Sequence, residues 1–231
     1  DPFVQQLLAT KMAFCHIAIP YLLPLDNNKV KCSVWPLEGI VMEWRNRKGK
    51  SCEKPLTRQP MHVVSFMRIG RPSFSKSKLL NETILNTPHD VFCHRDSPSG
   101  TNERYISDGL VEMTHHLSSG KSTDIFPEEL LFLNLRGDSC RFPVQAEILS
   151  SMSSVCIIVG NIDDVAELRS DECPFKAKNT IMLLSDKGRD HMNKPLLERA
   201  IEACENLFGS VSEQKNLSKA FNKSNTEVKN D

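Results

Sequence analysis

The stretch FMRIGRPSFSKSKLL, residues 66–80, decides the fold expected for this chain of 231 residues. Residues 70–77, GRPSFSKS, match the phosphate-binding loop pattern GxxxxGK[ST] at every defining position but one, because Ser75 replaces the second glycine. An apolar run, MHVVSFMRIG, precedes the loop and a stretch with helical character, SKSKLLNETIL, follows it. This strand–loop–helix order is the context in which loop N–H groups and a helix N-terminus face phosphate groups.

The loop residues have distinct expected roles. Lys76 would reach the terminal phosphates and act in catalysis, and Ser77 would ligate magnesium. Pro72 removes one N–H donor, and Ser75 would carry strain of about 1–2 kcal/mol if its position needs a positive φ. The alternative left open by the loop is a Ser-rich turn with a solvated lysine. The predicted nucleotide-binding residues of the loop are Gly70, Ser73, Phe74, Ser75, Lys76, Ser77 and Lys78.

Two later segments occupy positions that supply further ligands in a small GTPase. In the loop SPSGTNERYISDGL, Thr101 is the candidate that would act in catalysis by contacting magnesium and the γ-phosphate. The strand LLFLNLRG should end in Asp-x-x-Gly; Gly137 is in place, but Asn134 stands where the Asp is expected. An Asn can orient a magnesium-bound water but brings no negative charge.

The segment SDKGRD, which follows another apolar run, is the candidate base site. Asp186 and Lys187 are predicted to contact the base, but no Asp falls two residues beyond Lys187, where a guanine clamp would need it. The sequence therefore predicts poor discrimination of guanine from adenine.

Apolar strands alternate with helical stretches from residue 61 to residue 208, and the helical stretches include residues 143–152 and 193–208. This order predicts an α/β fold: a P-loop NTPase, small-GTPase-like three-layer sandwich whose mostly parallel sheet has one antiparallel edge strand. Upstream, residues 3–14 have helical spacing, residues 37–44 have apolar side chains at helical spacing, and residues 46–60 suggest a linker. The expected divisions are an N-terminal helical and extended segment over 1–60, a GTPase-like domain over 61–209 and a flexible tail over 210–231.

Composition narrows the classes of partner. The 29 Lys and Arg residues balance 29 Asp and Glu residues, which argues against a dedicated nucleic-acid binder. The longest apolar stretch, residues 12–25, contains His16 and two prolines and is too short to span a bilayer. The eight cysteines form no CxxC pair, which favours reduced side chains in the cytoplasm or nucleus.

Three runs in combination resemble a known family: residues 66–85, residues 94–112 (HRDSPSGTNERYISDGLVE) and residues 126–138 (FPEELLFLNLRGD). They are similar to the G domain of very large interferon-inducible GTPases and of the related up-regulator of cell proliferation family. A caspase-recruitment-domain protein carries such a module as well. The resemblance implies a GTP- and Mg²⁺-binding module of a signalling protein in the cytoplasm or nucleus, and it makes Ser75 a family feature.

Three hypotheses about function follow. The first is a GTP-binding domain with weak or no hydrolysis; whether it is an enzyme stays open. The second, favoured by Asn134 and the missing base clamp, is a nucleotide-independent pseudo-GTPase scaffold in NF-κB, apoptosis or cell-cycle signalling. A nucleotide kinase would need an Arg-rich lid, which the sequence lacks. The expected partners are a guanine nucleotide and signalling proteins, with a homodimer through the G domain as one candidate assembly, and Arg136 is expected in a structural salt bridge.

Overall fold

The computed structural model describes residues 1–26, 28–46, 48–85, 87–94, 97, 106–124, 126, 128–167 and 179–185. The helix predicted over 193–208 and the tail predicted over 210–231 lie outside these residues.

The described residues form an α/β structure built on strands and short helices. The strands are β1 (Ile19–Pro24), β2 (Val30–Cys32), β3 (Val41–Arg45), β4 (Ser51–Pro55), β5 (His62–Ile69), β6 (Val111–His116), β7 (Leu130–Leu135), β8 (Val155–Asn161) and β9 (Thr180–Ser185). The α-helices are α1 (Pro2–Phe14), α2 (Trp35–Glu38), α3 (Lys76–Leu79), α4 (Pro143–Met152) and α5 (Ile162–Ala166). Short 3₁₀ turns occur at Leu56–Arg58 and Ser139–Arg141, and a π-helical segment, Leu80–Leu85, continues α3.

Seven strands form one mixed sheet in the order β2-β1-β6-β7-β5-β8-β9. The strands β7, β5, β8 and β9 are parallel, so their carboxyl ends meet at one edge of the sheet. This parallel block, with helical segments between its strands, is compatible with the predicted P-loop fold. In open sheets of this kind, ligands bind outside the carboxyl ends of the strands.

The antiparallel part of the sheet is larger than the sequence predicts. The strand β6 is antiparallel to β7, as expected, but it is not an edge strand, because β1 pairs antiparallel along its outer side and β2 pairs with β1. The prediction of one antiparallel edge strand was therefore wrong. Prolines 20 and 24 prevent a helix in the apolar segment 17–25, and that segment buries Ile19 and Leu22 by joining the sheet instead. The boundary near residue 60 stays a prediction.

Residues 37–60 also differ from expectation. The apolar residues at helical spacing divide between the short α2 and the strand β3, and the expected linker contains β4, which pairs antiparallel with β3. Gly39 separates the two elements, and glycine is a poor helix former. The hairpin is attached to the rest of the fold by Trp44, whose Nε1–H donates to Glu129 Oε1 at 2.7 Å.

Alternate residues of the central strands enter two hydrophobic cores, one on each face of the sheet. On the first face, here called the α4 face, Met67 of β5 packs in one cluster with Leu149 of α4. On the opposite α3 face, Phe66 and Phe132 pack with Leu80, which follows α3. Helical segments therefore cover both faces, as the alternation of strands and helices predicts.

The strand β6 carries a buried histidine. Only 5% of His115 is exposed, and burial holds its pKa at about 4, below the ordinary value of 6.5; the nearby His16 and His116 lower it further. The ring of His16 lies 5.9 Å from that of His115, and burial lowers its pKa as well. Both rings are therefore neutral in the folded protein near pH 7.

We predict that stability falls as pH drops from about 6.5 to about 4. In that window the unfolded chain protonates His115 while the folded chain keeps it neutral, so the unfolded state binds more protons. The loss should reach about 3 kcal/mol for His115 alone, since each pKa unit corresponds to about 1.4 kcal/mol. Urea denaturation at a series of pH values measures it. His115→Gln should flatten the profile, and His62→Gln, at an exposed site on β5, should not; equal profiles for all three proteins would contradict the assignment.

We also predict that the N-terminal strands are part of one cooperative unit with the rest of the sheet. Leu22 is 2% exposed in the shared core, so Leu22→Ala should cost about 2–5 kcal/mol. Leu25→Ala, at a half-exposed site, is the matched control and should change stability by less than about 0.5 kcal/mol. Urea unfolding followed by circular dichroism and by tryptophan fluorescence should give coincident transitions. Separate transitions, with the second unaffected by Leu22→Ala, would show two independent units.

Candidate functional site

The loop between β5 and α3 begins at a glycine that cannot be replaced without a collision. Gly70 has φ +64°, and a Cβ at this position would overlap the carboxyl group of Asp164 in α5. That carboxyl group accepts a hydrogen bond from the N–H of Arg71, with 2.7 Å between N and Oδ2. The first defining glycine of the loop is therefore required by its backbone conformation and by the close approach of α5.

Ser75 acts as the N-cap of α3. Its φ and ψ are −79° and 119°, and its Oγ accepts from the N–H of Lys78 at 3.4 Å. A side chain is unstrained in this extended conformation, so the strain considered for a serine at the second glycine position does not arise. The serine hydroxyl instead contributes a cap that glycine lacks.

The loop presents a run of backbone donors at the start of α3. The N–H of Arg71 is bound by Asp164, and the N–H of Ser73 donates to Ser185 Oγ at 3.2 Å. The N–H groups of residues 74–77 have no acceptor within the described part of the chain. Consecutive N–H groups at the start of a helix are the kind of donor that anion-binding sites in proteins use.

Lys76, the residue expected to reach a phosphate, is buried. It is 5% exposed and its Nζ donates to Asn134 Oδ1. Burial lowers the pKa of Lys76 to about 7; the negative charge of Glu112 raises it, while the positive charges of Arg68 and Arg136 lower it further. The ammonium group therefore lies in a dry site with one carboxylate and two guanidinium groups near it.

Asn134 connects Lys76 to Ser77 and to a carboxylate. Its Oδ1 accepts from Lys76, while its Nδ2 donates to Ser77 Oγ at 3.2 Å and to Glu112 Oε2 at 3.1 Å. Asn134 is fully buried. The neutral amide therefore uses both its oxygen and its nitrogen to join the two loop side chains predicted to bind phosphate and metal.

Glu112 is a site residue that sequence reasoning missed. It lies directly across the β6–β7 ladder from Asn134 and is 4% exposed. Burial raises its pKa, while the charges of Arg136 and Lys76 oppose that rise. The signal available in the sequence was a single carboxylate inside the apolar run LVEM, at a position that strand alternation turns away from Val111 and Met113.

Arg136 forms the structural salt bridge expected for it. Its Nη1 lies 3.4 Å from Glu112 Oε2 and donates to the carbonyl oxygen of Cys93 at 2.8 Å. Its Nε is buried without a hydrogen-bond partner among the described residues. The arginine therefore brings a second cation and one unsatisfied donor to the group of Lys76, Asn134 and Glu112.

The other predicted site residues are distributed unevenly. Lys78 lies 3.7 Å from Glu82 in an exposed ion pair, and Phe74 is partly buried. Gly137 has φ +86°, and a Cβ there would lie 2.9 Å from the ring of Phe142. Ser185, which the sequence did not single out, connects the loop to the end of β9. The remaining predicted residues, which lie outside the described residues, are Thr101, Asp186 and Lys187.

The donor set suits a hard cation better than a transition metal. Across the described residues, no three His, Cys, Asp or Glu side chains are grouped to hold a metal ion. Ser77 and Glu112 instead offer a hydroxyl and a carboxylate oxygen, which are the ligand types that Mg²⁺ uses together with phosphate oxygens and water. The site residues present therefore fit Mg²⁺ bound jointly with a phosphate ligand.

A comparison with known protein families shows to which family this chain belongs. A family model described as the up-regulator of cell proliferation-like domain matches residues 1–230. The chain belongs to this family. The resemblance inferred from the three sequence runs is thereby confirmed. Within the described residues, no helix is long and apolar enough to cross a membrane.

The relatives of this chain are much longer proteins. The chain is 41% identical over 172 residues to the up-regulator of cell proliferation of Homo sapiens, covering 70% of this chain and 18% of that protein. It is 31% identical over 217 residues to caspase recruitment domain-containing protein 6 of Homo sapiens, covering 87% and 21%. It is 27% identical over 173 residues to interferon-induced very large GTPase 1 of Mus musculus, covering 71% and 7%. The chain thus spans about a fifth or less of these relatives. No solved structure matches it.

We predict that Ser75 stabilises the loop as a cap rather than weakening it. Ser75→Ala should cost about 0.5–2 kcal/mol, because the N–H of Lys78 loses its acceptor. Ser75→Gly, which restores the second glycine of the loop pattern, should cost only a few tenths of a kcal/mol. Chemical denaturation of the three proteins checks both values. A gain in stability on Ser75→Gly would show that the serine is strained after all.

Proposed function

We propose that this chain is the GTP-binding domain of a large signalling-type GTPase, with a P-loop fold, Mg²⁺ as cofactor and weak or absent hydrolysis. The observation that carries the proposal is the arrangement of Lys76 and Ser77 around Asn134, beside four loop N–H groups that have no acceptor among the described residues. That arrangement lies on the α3 face at the carboxyl ends of β5 and β7, where open α/β sheets bind ligands.

The phosphate groups would be bound by the loop. The N–H groups of residues 74–77 would donate to phosphate oxygens, and Lys76 would transfer its hydrogen bond from Asn134 to the terminal phosphates. Ser77 and Thr101 would hold Mg²⁺, which would offset the charge that develops on the transferred phosphoryl group. The name of the relative interferon-induced very large GTPase 1 agrees with this ligand class.

Hydrolysis is proposed to be weak for reasons in the chain itself. In-line attack needs an oriented water and a dense set of donors on the γ-phosphate. Pro72 contributes no N–H, the N–H of Ser73 is bound to Ser185, and Asn134 carries no charge. The sequence also offers no clear residue to orient the attacking water.

The proposal also covers the recognition of the nucleotide base and the protein partners of the domain. Asp186 and Lys187 would contact the base, with poor discrimination of guanine from adenine. The domain would act in the cytoplasm or nucleus among signalling proteins, and a homodimer through the G domain is proposed as its assembly.

One set of observations favours a second candidate function, a nucleotide-independent scaffold. Lys76 is already hydrogen-bonded and two loop N–H groups are already bound to Asp164 and Ser185. A site whose polar groups satisfy one another can persist without ligand, as a scaffold would require.

We predict that nucleotide stabilises the wild-type protein and not Lys76→Ala. At ligand about 100-fold above its dissociation constant, binding adds roughly 2.7 kcal/mol to the stability. For a chain of this size that corresponds to about 5–10 °C in melting temperature. The measurement is a melting series with GTP, GDP and ATP, each with and without Mg²⁺.

Lys54→Ala is the matched control, because this lysine is exposed on β4, in the separate two-stranded sheet. It should keep most of the shift. No shift at millimolar nucleotide in any protein would favour the scaffold. An equal shift in Lys76→Ala and the wild type would place binding elsewhere, and a shift with guanine nucleotides alone would contradict the proposed lack of base selectivity.

A further inference from the structure

We infer that Glu112 on β6 supplies the carboxylate for Mg²⁺ that P-loop NTPases usually take from the end of the strand where Asn134 stands. The inference rests on the proposed function, because it assigns a role within the same nucleotide site. It explains how the site can bind a metal although Asn134 is neutral.

The register places the two side chains together. Glu112 and Asn134 are directly opposite each other on β6 and β7, so both side chains project from the α3 face. On the other side of β6, Glu112 pairs with Pro20 of β1. A carboxylate at 112 therefore reaches the region next to 134 from the neighbouring strand, and β1 shields it from solvent.

The hydrogen bonds place the carboxylate near the metal-binding hydroxyl of the loop. A single nitrogen, Asn134 Nδ2, contacts Ser77 Oγ at 3.2 Å and Glu112 Oε2 at 3.1 Å. The two oxygens are thus neighbours around one amide group. A Mg²⁺ ion bound to Ser77 keeps several of its waters, and such a water can be held by a nearby carboxylate.

The charges favour an anion at this point. Lys76, Arg68 and Arg136 all act on the same buried region, and Glu112 is the carboxylate that contacts Asn134 there. Burying a carboxylate is costly unless it is paired. Arg136 Nη1 lies 3.4 Å from Glu112 Oε2, and Asn134 Nδ2 donates to the same oxygen, so the carboxylate contacts both the arginine and the amide beside Ser77.

The test moves the charge from one strand to the other. Mg²⁺ is added to EDTA-treated protein, and the Mg²⁺ concentration that half-restores GDP-dependent thermal stabilisation is measured. The three proteins compared are the wild type, Glu112→Gln, and the double variant that combines Glu112→Gln with Asn134→Asp. Removing an outer ligand of a metal site typically weakens metal affinity by roughly 10–100-fold. Glu112→Gln should therefore raise the Mg²⁺ midpoint by roughly that factor, and the double variant should return it close to the wild-type value.

Two further measurements make the result specific. GDP stabilisation is also measured in EDTA for each variant, so that the effect of losing the Glu112 charge on Lys76 is separated from the effect on Mg²⁺. Glu147→Gln, at an exposed position on α4, is the control and should leave the Mg²⁺ midpoint unchanged. If Glu112→Gln does not fold, Glu112→Asp replaces it. The aspartate keeps the negative charge but is one methylene shorter, so its carboxylate lies farther from the metal and the Mg²⁺ midpoint should still rise.

The outcomes separate this inference from the proposed function. If the variants at 112 lower the melting temperature but leave the Mg²⁺ midpoint at the wild-type value, Glu112 is a structural partner of Arg136 and the inference is overturned, while nucleotide binding stands. A raised midpoint that Asn134→Asp does not correct overturns it too, because the charge would then not act on the metal. If GDP does not stabilise the wild type, both the proposed function and the inference fail.

Discussion

The arrangement of the site depends on one constraint: the ammonium group of Lys76 lies inside the protein. Burial of that group is costly, and the cost is offset by a hydrogen bond to Asn134 and by the nearby charge of Glu112. Position 134 must therefore present an oxygen to Lys76, which an amide does as well as a carboxylate. The replacement of an expected Asp by Asn keeps this contact and gives up only the charge.

The missing charge is present on the adjacent strand. Glu112 takes part in the same hydrogen-bonded group, and its pairing with Arg136 keeps it satisfied in the absence of a ligand. Polar groups buried together in this way strengthen one another, and the one donor of the group without a partner among the described residues is Arg136 Nε. In the function proposed here, the group preserves the site in the free protein and supplies donors and an anion to the ligand.

The N-terminal strands protect this arrangement. If β6 were the edge strand that its sequence suggests, Glu112 would lie beside solvent and its interactions would be weakened by water. With β1 paired along the outer side of β6, Glu112 and His115 are both nearly excluded from water. The seven-stranded sheet therefore affects the chemistry of the site, because the two added strands change the dielectric environment of residues on β6.

Local patterns determined much of this protein. The loop at 70–77, the strand before it and the helix at 143–152 could be predicted from the sequence, because apolar periodicity and a glycine with positive φ are local properties. The same reasoning singled out Lys76, Ser77 and Asn134, which the structure joins by hydrogen bonds. The prediction failed over residues 37–60. The apolar residues within 37–44 have helical spacing, but part of that stretch forms β3, because pairing with β4 rather than local propensity decided the backbone conformation.

Only the tertiary structure decided that β1 joins β6, that Ser75 is an unstrained cap and that Glu112 meets Asn134. Strand pairing and burial depend on residues far apart in the chain, and no local pattern encodes which neighbour a strand will take. The position of Glu112 in the sequence was visible from the start. Its role depended on the register of β6 against β7, which sets two side chains 22 residues apart on the same face of the sheet.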